Sequence, residues 1–147
     1  RKINEKMPDH TVELTSNAFK ECNKSIQNSE ILILGVSYKP NVKDIQLSPA
    51  EYIIEKFQNL GANVHIYDPN FSSTEVFGIK VEDNLDDVLS KMDAAVIVTG
   101  HDDFKKIEIS SFAKMKTPIL IDTRGIIEPQ SVKQHNIIFR GLGRGDF

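Results

Sequence analysis

A doubly wound α/β domain is predicted for this 147-residue chain: a Rossmann-like parallel sheet between helical layers, three-layer α/β/α, preceded by an N-terminal connecting helix. Two patterns predict it. Short continuous apolar runs at 31–34, 94–98 and 119–121 are bounded by turn residues, as in strands buried on both faces. Strands alternating with helix-period segments along the whole length argue for a parallel sheet.

Residues 1–7 (RKINEKM) read as the end of a helix that began upstream, with no initiating methionine and no signal peptide, so the chain reads as a fragment. Pro8 and Asp9 are expected to break that segment. A connecting helix follows, in which Val12, Leu14, Phe19, Cys22 and Ile26 recur at loosely helical spacing as far as 28–29. Residues 31–35 (ILILG) form the first strand. Ser48 caps the next helix, Pro49 suits its first position and Glu51 completes a capping box. Ala50, Ile53, Ile54, Phe57 and Leu60 make one apolar stripe, and Gly61 takes the left-handed conformation that stops the helix.

Residues 63–67 form a second strand, closed by Asp68 and Pro69. A loop at 71–77, a minor strand at 79–81 and a short helix from Asp83 or Asn84 to Leu89 come next. Then follow a strand at 94–98, a polar turn at 99–102, a helical or irregular stretch at 104–115 and a strand at 118–122. Residues 123–125 leave that strand, 128–135 are helical, and 137–139 form the last strand before a glycine-rich tail. Two units result: 1–28, the end of a longer helix plus the connecting helix, and 29–147, the α/β domain. No internal repeat or low-complexity segment interrupts them.

With 39% apolar residues the chain supports one packed core. A net charge of -3 with scattered Lys and Arg provides no basic field, which excludes nucleic acid as an expected partner. No apolar run approaches the roughly 18 residues of a membrane-spanning helix. The single cysteine, Cys22, allows no internal disulfide and no thiolate cluster, so a reducing, cytoplasmic setting is expected.

Ligands of open α/β sheets sit beyond the carboxyl ends of the strands. The exits here present Tyr38 and Lys39, then Asp68, then 99–102, then 122–124. Lys39 and Arg124 are the sharpest pair, because a phosphate or pyrophosphate needs fixed cations and arginine binds it bidentately. Tyr38 either stacks on a base or sugar or packs under its loop. Asp68 has three readings: a ligand for a ribose hydroxyl, a phosphoacceptor, or an Asp-Pro turn. The turn after the first strand, GVSYKP, lacks the GxGxxG that lets a backbone approach a pyrophosphate, and no acidic pair follows that strand to hold a metal. His101, Asp102 and Asp103 read as a turn and helix cap, since no further His or Cys is spaced to complete a metal shell. Cys22, flanked at a distance by Lys20 and Lys24, reads as a packed thiol. Residues alone thus indicate an anion-binding domain without a catalytic group or a metal.

Gly35-Val-Ser-Tyr-Lys-Pro-Asn41, Asp44, Ser48-Pro49, Tyr67-Asp-Pro69 and Ile121-Asp-Thr-Arg124, in this order, resemble the C-terminal domain of the UDP-glucose/GDP-mannose dehydrogenase family. The resemblance covers about Asn28 to the end, and residues 3–8 are similar to the segment joining the family's central helix to this domain. It implies an NAD-dependent enzyme that oxidises the C6 hydroxymethyl of a UDP-sugar, UDP-glucose or a UDP-N-acetylhexosamine, to the uronic acid, in the setting of polysaccharide biosynthesis. NAD would be bound mainly by an N-terminal domain, and a central domain would form the homo-oligomer and bring catalytic groups. This chain would bind the UDP-sugar, close the active site and be inactive alone. By the same resemblance Tyr38, Lys39 and Arg124 contact the nucleotide sugar. Gln46 stands where the family has an arginine that reaches NAD; its amide donates a hydrogen bond but offers no ion pair. The competing expectations are a non-catalytic nucleotide-binding or regulatory α/β domain and a phosphoacceptor domain built on Asp68.

Overall fold

The structure is a computed structural model that describes residues 6–37, 39–45 and 48–141. Helix α1 (Lys6–Glu21) leads to β1 (Glu30–Leu34), α2 (Pro49–Asn59) and β2 (Asn63–Tyr67). A small antiparallel hairpin of β3 (Glu75–Val76) and β4 (Ile79–Lys80) precedes α3 (Leu85–Leu89) and β5 (Ala94–Ile97). Two single-turn helices, α4 (Asp102–Lys105) and α5 (Ile109–Phe112), lead to β6 (Ile119–Asp122), α6 (Pro129–Val132) and β7 (Ile138–Gly141).

The five long strands form one parallel sheet in the order β2-β1-β5-β6-β7. Because side chains alternate along a strand, the apolar runs feed two cores at once. Ile31, Ile33, Val96 and Ile121 face α1 and α2 through Phe19, Ile53 and Phe57. Leu32, Leu34, Ile97 and Leu120 face Val88, Leu89, Phe104 and Phe112 on the other side. The three-layer α/β architecture expected from the sequence is therefore present. Chain direction across the sheet reverses between β1 and β5, which places the topological switch point at their carboxyl ends.

Helix α2 follows its local signals closely. Ser48 Oγ accepts from the Ala50 N–H at 3.1 Å, and Pro49 occupies the first turn, where no N–H partner is needed. At the other end Gly61 is left-handed at φ +88, with Ala62 N–H donating to the Phe57 carbonyl and Gly61 N–H to that of Gln58. That double closure is a Schellman motif.

Three expectations need correction. Pro8 does not break the first segment, because α1 runs through it from Lys6 to Glu21. The helix ends at Glu21 instead of near 28, where Asn23 turns left-handed at φ 56. The capping box is not used as such: the Ser48 N–H already donates to the Ile45 carbonyl, so nothing remains for Glu51 to satisfy.

Asp93 organises the amino end of the sheet. Its side chain is 4% exposed and accepts from Glu30 N–H at 2.9 Å, Lys24 Nζ at 2.9 Å and Thr117 Oγ1 at 2.7 Å. Burial opposes its ionisation, but those donors outweigh burial and hold the carboxyl below its ordinary 3.8. Cys22 is half-buried against the first core, and burial together with Glu21 pushes its thiol up despite Lys24 and Arg140, as suits a packed thiol. No helix among the described residues is long and apolar enough to cross a membrane.

A depressed folded-state value means that Asp93 stabilises the fold above pH 4 and loses that contribution as acid drives the pH through the folded value. Asp93→Asn should destabilise the protein by about 1–3 kcal/mol at pH 7. It should also flatten the decline in urea unfolding midpoint between pH 5 and 2. A variant with the parent's acid slope would show that Asp93 is not the group responsible.

Candidate functional site

At the switch point the β1 and β5 exits are pressed together. Gly35 is left-handed at φ +94, and a Cβ there would lie 2.5 Å from Thr99 Cβ and 2.9 Å from the Thr99 backbone nitrogen. Only glycine fits such a crossing. Thr99 Oγ1 then donates to the Ser37 carbonyl at 2.7 Å, closing the contact.

Beside this crossing lies a buried hydrogen-bond cluster. The Asp68 side chain, 0% exposed, accepts from Val36 N–H at 2.9 Å and His101 Nε2 at 3.0 Å through one oxygen, and from Asn70 N–H at 2.9 Å through the other. The tautomer of His101 follows from its second contact. Asn41 N–H, which can only donate, reaches Nδ1 at 2.7 Å, so Nδ1 accepts and Nε2 carries the proton given to Asp68. The Asn41 side chain in turn accepts from Asp102 N–H at 2.9 Å.

The exit of β6 is built on the same principle. Asp122 takes the N–H groups of Arg124 at 3.0 Å, Gly125 at 2.9 Å and Ile127 at 2.8 Å, bending the chain so that Arg124 projects from the sheet end. Arg124 Nε donates to the Val98 carbonyl at 2.8 Å, which orients the guanidinium across the β5 exit. A cleft of about 350 Å³ opens here, lined by Pro40, Thr99, Gly100, Lys105, Arg124 and Ile126. Lys105 also pairs with Asp102 at 3.2 Å. The cleft thus carries two cations on its walls, and exposed Lys39 adjoins its lining residue Pro40. Such an arrangement suits a phosphate-bearing ligand.

A family model described as the UDP-glucose/GDP-mannose dehydrogenase family, UDP binding domain, matches residues 32–129. The chain belongs to this family. It is 37% identical over 147 residues to a UDP-N-acetyl-D-mannosamine dehydrogenase of Pyrococcus horikoshii, covering 99% of this chain and 33% of that protein. It is 31% identical over 125 residues to a UDP-glucose 6-dehydrogenase of Rhizobium meliloti, covering 82% and 29%. The crystal structure of NDP-N-acetyl-D-galactosaminuronic acid dehydrogenase from Methanosarcina mazei superposes with a TM-score of 0.87 at 27% identity, over 96% of this chain and 30% of that one. The chain spans about a third of the length of these dehydrogenases.

Of the residues that the sequence singles out in this dehydrogenase-family domain, Arg124 lines the cleft and Lys39 is exposed next to it. Tyr38 and Gln46 lie outside the described residues. Asp68 is neither an exposed phosphoacceptor nor free to hold a ribose, because both its oxygens are buried and engaged by donors. His101 is not part of a metal cluster among the described residues. It is the buried partner of Asp68, a pairing 33 residues apart that no local pattern announces. Lys105 was also missed, since its position on the cleft wall depends on how tightly the polar turn folds.

Gly35→Ala should lower stability by about 2–4 kcal/mol, the sum of a left-handed backbone cost and a clash with Thr99. Chemical denaturation measures this, and a loss below about 0.5 kcal/mol would mean that the exits are not packed as described.

Proposed function

We propose that this chain is the UDP-sugar-binding domain of an NAD-dependent UDP-sugar 6-dehydrogenase, and that Lys39 and Arg124 bind the nucleotide sugar. The observation that carries the reading is the basic cleft at the switch point, inside a segment that belongs to the family's UDP-binding domain. Arg124, braced by the Val98 carbonyl, offers a planar fork to a phosphate oxygen pair; Lys39 contributes a mobile point charge from the adjoining loop. Tyr38, next to Lys39 in sequence, packs against the ligand in this reading. The sugar is UDP-glucose or a UDP-N-acetylhexosamine.

The β1 exit does not fit a dinucleotide pyrophosphate. Val36 N–H is already bound to Asp68 and Gly35 is packed on Thr99, so these two described residues offer no backbone cradle to an anion. NAD accordingly belongs to another domain of a longer, cytoplasmic and oligomeric protein, which also brings the groups that oxidise the sugar. NAD supplies the hydride acceptor when bound; this chain's residues hold the substrate and exclude water by closing on it.

Two measurements test the reading. The coding sequence upstream of residue 1 should contain a GxGxxG turn between strand and helix and a nucleophilic cysteine, and their absence would overturn the enzyme assignment. Calorimetric titration of the full chain with UDP should show Lys39→Ala and Arg124→Ala each weakened about 10- to 100-fold, as expected for one lost charge-assisted contact, with thermal unfolding unchanged in Lys39→Ala and slightly lowered in Arg124→Ala by loss of the Val98 contact. Parent-like binding by both would reject the site.

A further inference from the structure

We propose that His101 is a positioning residue for nucleotide binding, acting through Asn41 to hold the Lys39 loop in place; the proposal rests on the UDP-site reading above. Residues 39–45 are exposed along their whole length, so hydrophobic burial does little to fix them. Polar anchors must do it. Ser37 Oγ donates to the Lys39 carbonyl at 2.7 Å, and Asn41, left-handed at φ 62, turns both its N–H and its side-chain oxygen toward the β5 exit. The first meets His101 Nδ1 and the second meets Asp102 N–H. His101 itself is immovable: 1% exposed, 5.3 Å from the Phe104 ring centroid and hydrogen-bonded to buried Asp68.

The two ring nitrogens therefore do different things. Nε2 serves buried Asp68 at 3.0 Å, with a longer contact to Ser37 Oγ at 3.4 Å, whereas Nδ1 takes the loop's Asn41 N–H at 2.7 Å. Amide side chains separate these tasks, because an asparagine oxygen can replace the Nδ1 acceptor while a glutamine nitrogen can replace the Nε2 donor. A histidine that merely stabilised the fold would show no preference between the two replacements at the ligand.

Titration of the full chain with UDP, beside thermal unfolding, tests the proposal. His101→Gln should weaken UDP binding about tenfold, whereas His101→Asn should stay within about twofold of the parent. Both should lower the unfolding temperature. Hydrogen exchange in the parent covers the case in which the buried variants fail to fold: the Asn41 amide proton, held by His101 Nδ1, should exchange at least about tenfold more slowly than an open loop amide. Equal weakening by His101→Asn and His101→Gln would overturn the proposal, as would an Asn41 amide proton that exchanges as fast as an open loop's. Lys39→Ala serves as the reference. If it is weakened while His101→Gln binds like the parent, the positioning role fails alone; if Lys39→Ala binds like the parent, the site reading fails and takes the role with it.

Discussion

The carboxylate of Asp68 is the constraint on which the carboxyl edge of the sheet depends. A buried charge is tolerable only when hydrogen-bond donors surround it, and here the donors come from three places: the β1 exit, the β5 exit and the turn that Asp68 itself begins. Because the oxygens need these donors, the segments that supply them cannot drift apart. The close crossing of Gly35 and Thr99 follows, and so does the fixed tautomer of His101. The geometry of the β1 and β5 exits is thus a by-product of satisfying one interior carboxylate.

The same device recurs at other strand ends. Asp93 gathers donors from three segments at the amino edge, and Asp122 gathers the loop amides of Arg124, Gly125 and Ile127 at the β6 exit. At the amino edge the result is architectural, since it ties Lys24 and Thr117 to the start of the sheet. At β6 the result is a presented arginine. Using backbone amides to satisfy carboxylates also removes those amides from ligand binding, so the charge that the cleft presents is that of the Lys105 and Arg124 side chains.

Much of the fold was legible because its signals are local. The continuous apolar runs of β1, β5 and β6 mark strands buried on both faces, and Ser48, Pro49 and Gly61 bracket α2 by conformational preference alone. Reading failed where the outcome depends on position within an element. Pro8 sits inside α1 without breaking it, whereas the stretch 104–115, expected as helical or irregular, does hold short helices anchored by Phe104 and Phe112. Of the site, Arg124 was legible from its place after a strand. The Asp68–His101 pair was not, because it joins residues that meet only after β2 and β5 are both docked on β1.

Residues 39–45 carry one more contact of consequence. Lys43 Nζ lies 5.7 Å from the Phe71 ring centroid, and Phe71 belongs to the core shared by α1 and α2, whereas the anchor at His101 stands against Phe104 in the opposite core. The loop is therefore stitched to both layers across the end of β1. It is a strap and not a flap: lifting it requires letting go on two sides of the sheet. Motion that opens or closes a binding cleft here would carry the strap along with the whole α/β body, leaving the spacing between Lys39 and the sheet end unchanged while the body moves.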